Sequence, residues 1–202
     1  MSLELIIGPM FAGKSSAVQS IIRRHRALGW SVCVLTHASD TRYSETPAVV
    51  NHDAVAIPAI GCASLSEMKD NLDFKQSALV IIEEAQFFDD LVPFVINAVE
   101  EMKKHIVVVG LDGDAMRRPF GHVLELIPFT DRITKLTAMC AICRDGKPAL
   151  FTYAHSDEAT TRTVAGEACV GAADKYTPLC RRHYLDKTRP PEPVDWAERY
   201  GC

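Results

Sequence analysis

The sequence predicts an α/β protein built on a parallel sheet, and three observations carry that expectation. Short runs rich in Val, Ile and Leu recur at Leu3–Ile7, Ser31–Leu35, Ala78–Ile82 and Ile106–Gly110, the pattern of strands buried on both faces. Between them lie segments with helical spacing: Lys14–Leu28, with Val18, Ile21 and Ile22 on one face, then Leu65–Leu72, Leu91–Met102 and Gly121–Ile127. A glycine-bounded loop joins the first strand directly to the first helix. Alternation of this kind predicts a three-layer domain spanning residues 1–137.

That first loop, Gly8-Pro9-Met10-Phe11-Ala12-Gly13-Lys14-Ser15, fits G-x-x-x-x-G-K-[ST] in the strand-before, helix-after context the motif needs. Backbone N–H groups of such a loop close around phosphate oxygens at a helix N-terminus. The lysine meets the β/γ charge and the hydroxyl serves Mg²⁺. The cofactor-binding set is thus Gly8, Pro9, Met10, Phe11, Ala12, Gly13, Lys14 and Ser15, with Ser16 beside them. Leu79-Val80-Ile81-Ile82 then runs into Glu83 and Glu84, placing two carboxylates where open α/β sheets bind their ligands. One suits a Mg²⁺ shell and the other a base on a bound hydroxyl.

After residue 137 the pattern changes. Residues 138–186 carry Cys140-x-x-Cys143, strand-like pieces at Leu150–Tyr153 and Thr161–Val164, a small-residue stretch at Val170–Ala173, and Cys180-x-x-His183. Three thiolates and an imidazole make a closed tetrahedral set for structural zinc. The long interval between the pairs leaves a disulfide or free buried thiols as alternatives. Residues 187–202 hold three prolines and no apolar period, predicting a flexible tail.

Composition narrows the classes. The chain has 202 residues, 22 Lys+Arg against 26 Asp+Glu, a net charge of −4 and 48% hydrophobic side chains. Phosphate must therefore be gripped locally, and the charge argues against nucleic acid as a partner. No apolar run reaches the roughly 18 residues of a membrane span, and the opening residues lack a basic leader, which predicts a cytoplasmic protein without membrane contact. Seven scattered cysteines do not read as a secreted disulfide framework. No Asn-Lys-x-Asp guanine reader occurs, and the chain is short for a motor ATPase, which leaves a small-molecule phosphotransferase.

Six segments in order resemble the cytosolic-type (type II) thymidine kinases. They are the phosphate loop with Pro9-Met10-Phe11 inside it, Asp40-Thr41-Arg42-Tyr43, Glu84-Ala85-Gln86-Phe87, Leu111-Asp112-Gly113 with Arg118-Pro119-Phe120-Gly121, Cys140-x-x-Cys143, and Ala173-Asp174-Lys175-Tyr176 before Cys180. The resemblance spans about residues 3 to 185. It implies transfer of the γ-phosphoryl group of ATP to the 5′-hydroxyl of thymidine, a RecA-like core, a structural zinc and a homotetramer with dTTP as feedback inhibitor.

Carried over by position, Glu84 resembles the general base, Arg42 offsets charge on the transferring group, and Asp40 and Glu83 serve Mg-ATP. Met10, Phe87, Leu111, Phe120 and Thr152 resemble the nucleoside pocket's walls. Cys169, Val170, Gly171 and Ala172 resemble the entry of a lasso loop that reads the base, and Tyr176 meets the sugar. Glu83 stands where the family usually has Asp, and its extra methylene shifts the reach to the metal. His183 stands where many members have a fourth cysteine, completing Cys140, Cys143 and Cys180. Because the phosphate loop belongs to the first domain, zinc loss is expected to disturb the small lobe more than ATP binding. Two other readings share the catalytic residues: an ATPase whose acceptor is water, and a kinase for another nucleoside.

Overall fold

The computed structural model describes residues 1–38, 48–50, 56–155 and 175–188. Strand β1 (Ser2–Ile7) leads through the phosphate loop into helix α1 (Lys14–Ala27) and then β2 (Val32–His37). A short hairpin of β3 (Ala48–Val50) and β4 (Ala56–Pro58) precedes β5 (Ile60–Cys62). A 3₁₀ segment, Leu65–Asp70, and α2 (Leu72–Gln76) lead to β6 (Leu79–Ile82). Then come α3 (Leu91–Glu100), β7 (His105–Gly110), a 3₁₀ segment Val123–Phe129 and β8 (Arg132–Lys135).

Six of these strands form one sheet in the order β5-β2-β6-β7-β1-β8, and every pairing in it is parallel. Side chains alternate between its faces. Leu3, Leu5, Ile7, Leu35, Val80, Ile82, Ile106 and Val108 pack with Leu91, Phe94, Val95 and Ala98 of α3. Ile6, Val34, Ile81, Val107 and Val109 pack on Val18, Ile21 and Ile22 of α1. The predicted three layers are present, with the predicted face of α1 buried. Gly13 starts α1 with a left-handed φ of 79°, and Arg24, His25 and Arg26 occupy its last turn, where positive charge complements the helix dipole.

Two expected helices differ. The segment read as Leu65–Leu72 breaks at Asn71, which is extended and caps α2 by accepting from the N–H of Phe74 at 3.1 Å. Asn favours such a cap over a helix interior. The segment read as Gly121–Ile127 is the 3₁₀ stretch Val123–Phe129 with Pro128 inside it, and proline removes the N–H an α-helix would use.

Beyond the sheet, β9 (Ala138–Met139) pairs with β10 (Pro148–Ala149), and β11 (Phe151–Ala154) pairs with β12 (Tyr176–Leu179), both antiparallel. Helix α4 (Arg181–Thr188) follows. Lys187 and Thr188, read from sequence as the start of the tail, close this helix instead, with the Thr188 hydroxyl donating to Tyr184 O at 2.8 Å. Among the described residues no helix is long and apolar enough to cross a membrane. Asp40, Arg42, Cys169, Val170, Gly171 and Ala172, the strand expected at Thr161–Val164, and residues 189–202 lie outside the described residues.

Candidate active site

Because the sheet is parallel, β1, β6 and β7 release their following loops at one edge. The phosphate loop leaves β1, Glu83 and Glu84 leave β6, and Leu111 and Asp112 leave β7. β7 stands between the other two strands.

The phosphate loop is shaped by close approach. A Cβ at Gly8 would run into the carbonyl of Leu136, whereas one at Gly13 would meet no atom within 4 Å. Phe11 takes a left-handed φ of 64°, a conformation that costs a non-glycine residue about 1 kcal/mol or more. Lys14 Nζ spans the loop, donating to Pro9 O at 2.8 Å and Gly8 O at 3.2 Å. Ser15 is half-buried and Ser16 exposed at the start of α1. Glycines, ammonium and hydroxyl are the groups of this loop that could hold a phosphate chain and its Mg²⁺.

At the end of β6 the two carboxylates differ. Glu83 is buried, and its N–H donates to Leu35 O at 2.9 Å, continuing the sheet. Glu84 is half-buried and left-handed, with φ 51° and ψ 40°, which turns its side chain out of the strand run. Its Oε2 accepts from Gln86 Nε2 at 2.6 Å.

The expected pocket walls form two groups. Phe87 and Phe120 meet edge to face with ring centroids 5.6 Å apart, and Leu111 is tied to the same region through its N–H, which donates to Gln86 Oε1 at 3.1 Å. Met10 belongs to the second group. Its N–H donates to Thr152 Oγ1 at 3.0 Å, and it packs with Tyr176, Ala115 and Ala154. Thr152, another expected wall, is buried, and its hydroxyl also tethers β11 to the phosphate loop.

Several structuring residues escaped the sequence reading. Asp114 Oδ1 accepts from the N–H groups of Met116 and Arg118, both at 2.8 Å, and Oδ2 pairs with the Arg118 guanidinium, knotting the loop after β7. Lys135 at the end of β8 pairs with Asp112 at 2.6 Å, arching over the end of β1 between them. Asp112 and Arg118 stood in the quoted motifs and Asp114 lies between them, but only the loop's folded shape gives them partners.

A second centre lies in the small lobe. Nδ1 of His183 is 3.4 Å from the sulfurs of Cys140 and Cys143 and 3.5 Å from that of Cys180, and the Cys143 and Cys180 sulfurs are 3.9 Å apart. Tetrahedral zinc with arms of about 2.3 Å to sulfur and 2.0–2.1 Å to nitrogen requires edges of about 3.6 and 3.8 Å. The donor set fits structural zinc in size and in kind. Burial resists ionisation of Cys140, but the backbone around Cys180 and Cys143, with the His183 ring and Ile142, brings its thiol down to about 6. Burial and the crowding of the neighbouring thiols push Cys143 up to about 11, a conflict that a cation at the centre relieves. Cys33 and Cys62, raised by burial to about 11 and about 12, are core thiols without disulfides.

The lobe is docked on the phosphate loop. Phe11 and Ala12 pack against Ala138, Cys140, Ala149, Leu179, Cys180 and Tyr184. From the other side, the Tyr184 hydroxyl donates to Ala115 O at 2.6 Å, and Arg117 lies over the Tyr184 ring at 4.9 Å.

Phosphate loop, paired carboxylates and a Cys₃His cluster thus occur together, and a family model described as thymidine kinase matches residues 1–184. The chain belongs to the thymidine kinase family. It is 38% identical over 187 residues to thymidine kinase a of Arabidopsis thaliana, an alignment covering 91% of this chain and 75% of that protein. It is 34% identical over 183 residues to the thymidine kinase of Yaba monkey tumor virus, covering 91% and 94%. With the human cytosolic thymidine kinase it shares 33% over 185 residues, covering 92% and 74%. This thymidine kinase family member therefore carries a kinase's nucleotide loop on a P-loop α/β core, with a lobe whose four side chains could hold a structural metal.

In this family member Gly121 carries a further constraint. Its φ is 56°, and a Cβ there would run into the carbonyl of Gln86. Gly121→Ala is expected to destabilise the protein by at least about 2 kcal/mol, from strained φ plus the forced backbone shift. Urea unfolding measures it, and a midpoint equal to wild type would show that the loop accommodates a side chain.

Proposed function

We propose that this chain transfers the γ-phosphoryl group of ATP to the 5′-hydroxyl of thymidine, giving dTMP and ADP. The observation that carries the reading is that the phosphate loop and the Glu84 carboxylate open on the same sheet edge, one strand apart, in a member of the thymidine kinase family.

In this reading Glu84 accepts the 5′-hydroxyl proton as the oxygen attacks the γ-phosphorus. The bond to the β,γ-bridging oxygen breaks, and its electron pair leaves with ADP. Lys14 neutralises the β/γ-phosphates. Ser15 and Glu83 would hold Mg²⁺, which would supply charge neutralisation at the phosphates when bound. Arg42 offsets charge on the transferring group, and Asp40 helps position metal or sugar. Phe87, Phe120, Leu111, Met10 and Thr152 wall the nucleoside pocket, Tyr176 meets the sugar, and the segment Cys169 to Ala172 closes on the base. Structural zinc on Cys140, Cys143, Cys180 and His183 is supported by the size and kind of the donor set, a cytoplasmic location by the cytosolic human relative, and a homotetramer and inhibition by dTTP by the family resemblance.

The test is incubation of the pure protein with Mg-ATP and a panel of deoxynucleosides, followed by separation of the monophosphates. The expected result is dTMP as the main product, formed in step with ADP. ADP released without nucleoside would instead indicate an ATPase. A larger yield from deoxycytidine or a purine nucleoside would reject thymidine as the substrate.

A further inference from the structure

Gln86 lies in the 3₁₀ turn Ala85–Phe87, two residues beyond Glu84, and is buried. Both ends of its amide are used. Oε1 accepts from the main-chain N–H of Leu111 at 3.1 Å, and Nε2 donates to Glu84 Oε2 at 2.6 Å. The first bond fixes the sense of the second. A backbone N–H can only donate, so the oxygen must face Leu111 and the nitrogen must face Glu84.

The surroundings are shaped around this side chain. A Cβ at Gly110 would stand 2.8 Å from Gln86 Oε1, and one at Gly121 would strike the Gln86 carbonyl. Glycine at both positions lets β7 and the 113–121 loop close on the glutamine. The side chain is therefore anchored to the neighbouring strand and cannot swing away with Glu84.

We propose that Gln86 is a positioning residue for the phosphoryl transfer, its amide holding one oxygen of Glu84 and so fixing the orientation in which the carboxylate meets the nucleoside 5′-hydroxyl. This deepens the reading of Glu84 as general base and rests on it. Glu84 is half-buried and left-handed, and an N–H held on one of its oxygens by a side chain itself anchored to Leu111 narrows the rotamers open to the carboxylate. Misplacement of a reacting group by about 1 Å can cost on the order of 10²-fold in rate, so the effect belongs in kcat.

Two variants separate this role from simple packing. Gln86→Glu keeps the length and the acceptor for the Leu111 N–H, but turns an oxygen toward Glu84. Gln86→Met fills the same volume with neither bond. Both are expected to lower kcat for thymidine by about tenfold or more, with KM for thymidine and ATP within about threefold, a split a purely structural defect does not produce. In a Glu84→Gln background, adding Gln86→Glu should cost no further rate, because the residue acts through the Glu84 carboxylate.

Wild-type kcat in a folded Gln86→Glu protein whose Glu84→Gln counterpart is crippled would overturn the positioning role alone. The same fold-loss from Gln86→Glu in both backgrounds would also overturn it, by showing that the effect bypasses Glu84. Near-normal turnover of Glu84→Gln itself would remove the general-base reading and this inference with it.

Discussion

Glu84→Gln should lower thymidine phosphorylation by about 10²-fold or more, the usual worth of a general base, while ATP binding is retained. The substitution keeps volume and hydrogen-bonding oxygen, so the amide can still accept from Gln86 and the turn after β6 keeps its form. What is lost is the capacity to take the 5′-hydroxyl proton. The phosphate loop is on β1, separated from β6 by β7, which is why nucleotide affinity should be spared. Product formation followed by separation of nucleotides, with a parallel titration of ATP binding, checks both halves. Near-normal turnover would reassign the base.

Removal of the metal should have the second large effect, and it should reach further than the domain organisation read from sequence suggested. His183→Ala is expected to abolish the one zinc per chain or weaken its binding, as metal analysis will read. Structural zinc contributes about 10–16 kcal/mol of apparent binding energy in finger peptides, and among the described residues the lobe offers strands of two to four residues, the short helix α4 and a small apolar cluster in its place. The nucleoside KM should therefore rise. ATP binding should weaken as well, though less than the lobe itself, because Phe11 and Ala12 pack on the lobe and Met10 is bonded to Thr152. Burying a side chain the size of Phe11 is worth about 1.5–3 kcal/mol, so losing half of that support corresponds to roughly three- to tenfold in nucleotide affinity. A zinc-free protein that binds ATP and thymidine as tightly as wild type would remove the stapling argument.

What the sequence made legible was local. Four of the six sheet strands read as continuous apolar runs because both of their faces are covered. The phosphate loop and the four metal ligands are contiguous or evenly spaced motifs. The missed strands, β5 and β8, are the two edges of the sheet. β8, Arg132-Ile133-Thr134-Lys135, is largely exposed and carries no apolar run to detect. Helix α4 has little apolar periodicity; its placement follows from bringing Cys180 and His183, three residues apart, onto one face and from the buried Tyr184. Gln86 was legible as a letter of a motif and Thr152 as an expected wall, but neither as a buried hydrogen-bonding group, because their partners Leu111 and Met10 are distant in sequence and arrive only with the fold.

The docking of Phe11 and Ala12 into the lobe also bears on modularity. In many two-part proteins the nucleotide loop is the portable piece, free to be inherited or recombined with a new substrate module. Here the outer surface of that loop is the inner surface of the second lobe. Residues 1–137 cut off alone would present Phe11, Ala12 and the Tyr184-bonding carbonyl of Ala115 to water. A foreign lobe would have to reproduce the same apolar seat beneath the same left-handed turn. Core and lobe are therefore constrained to change together, and a substitution at Phe11 is one edit made to both.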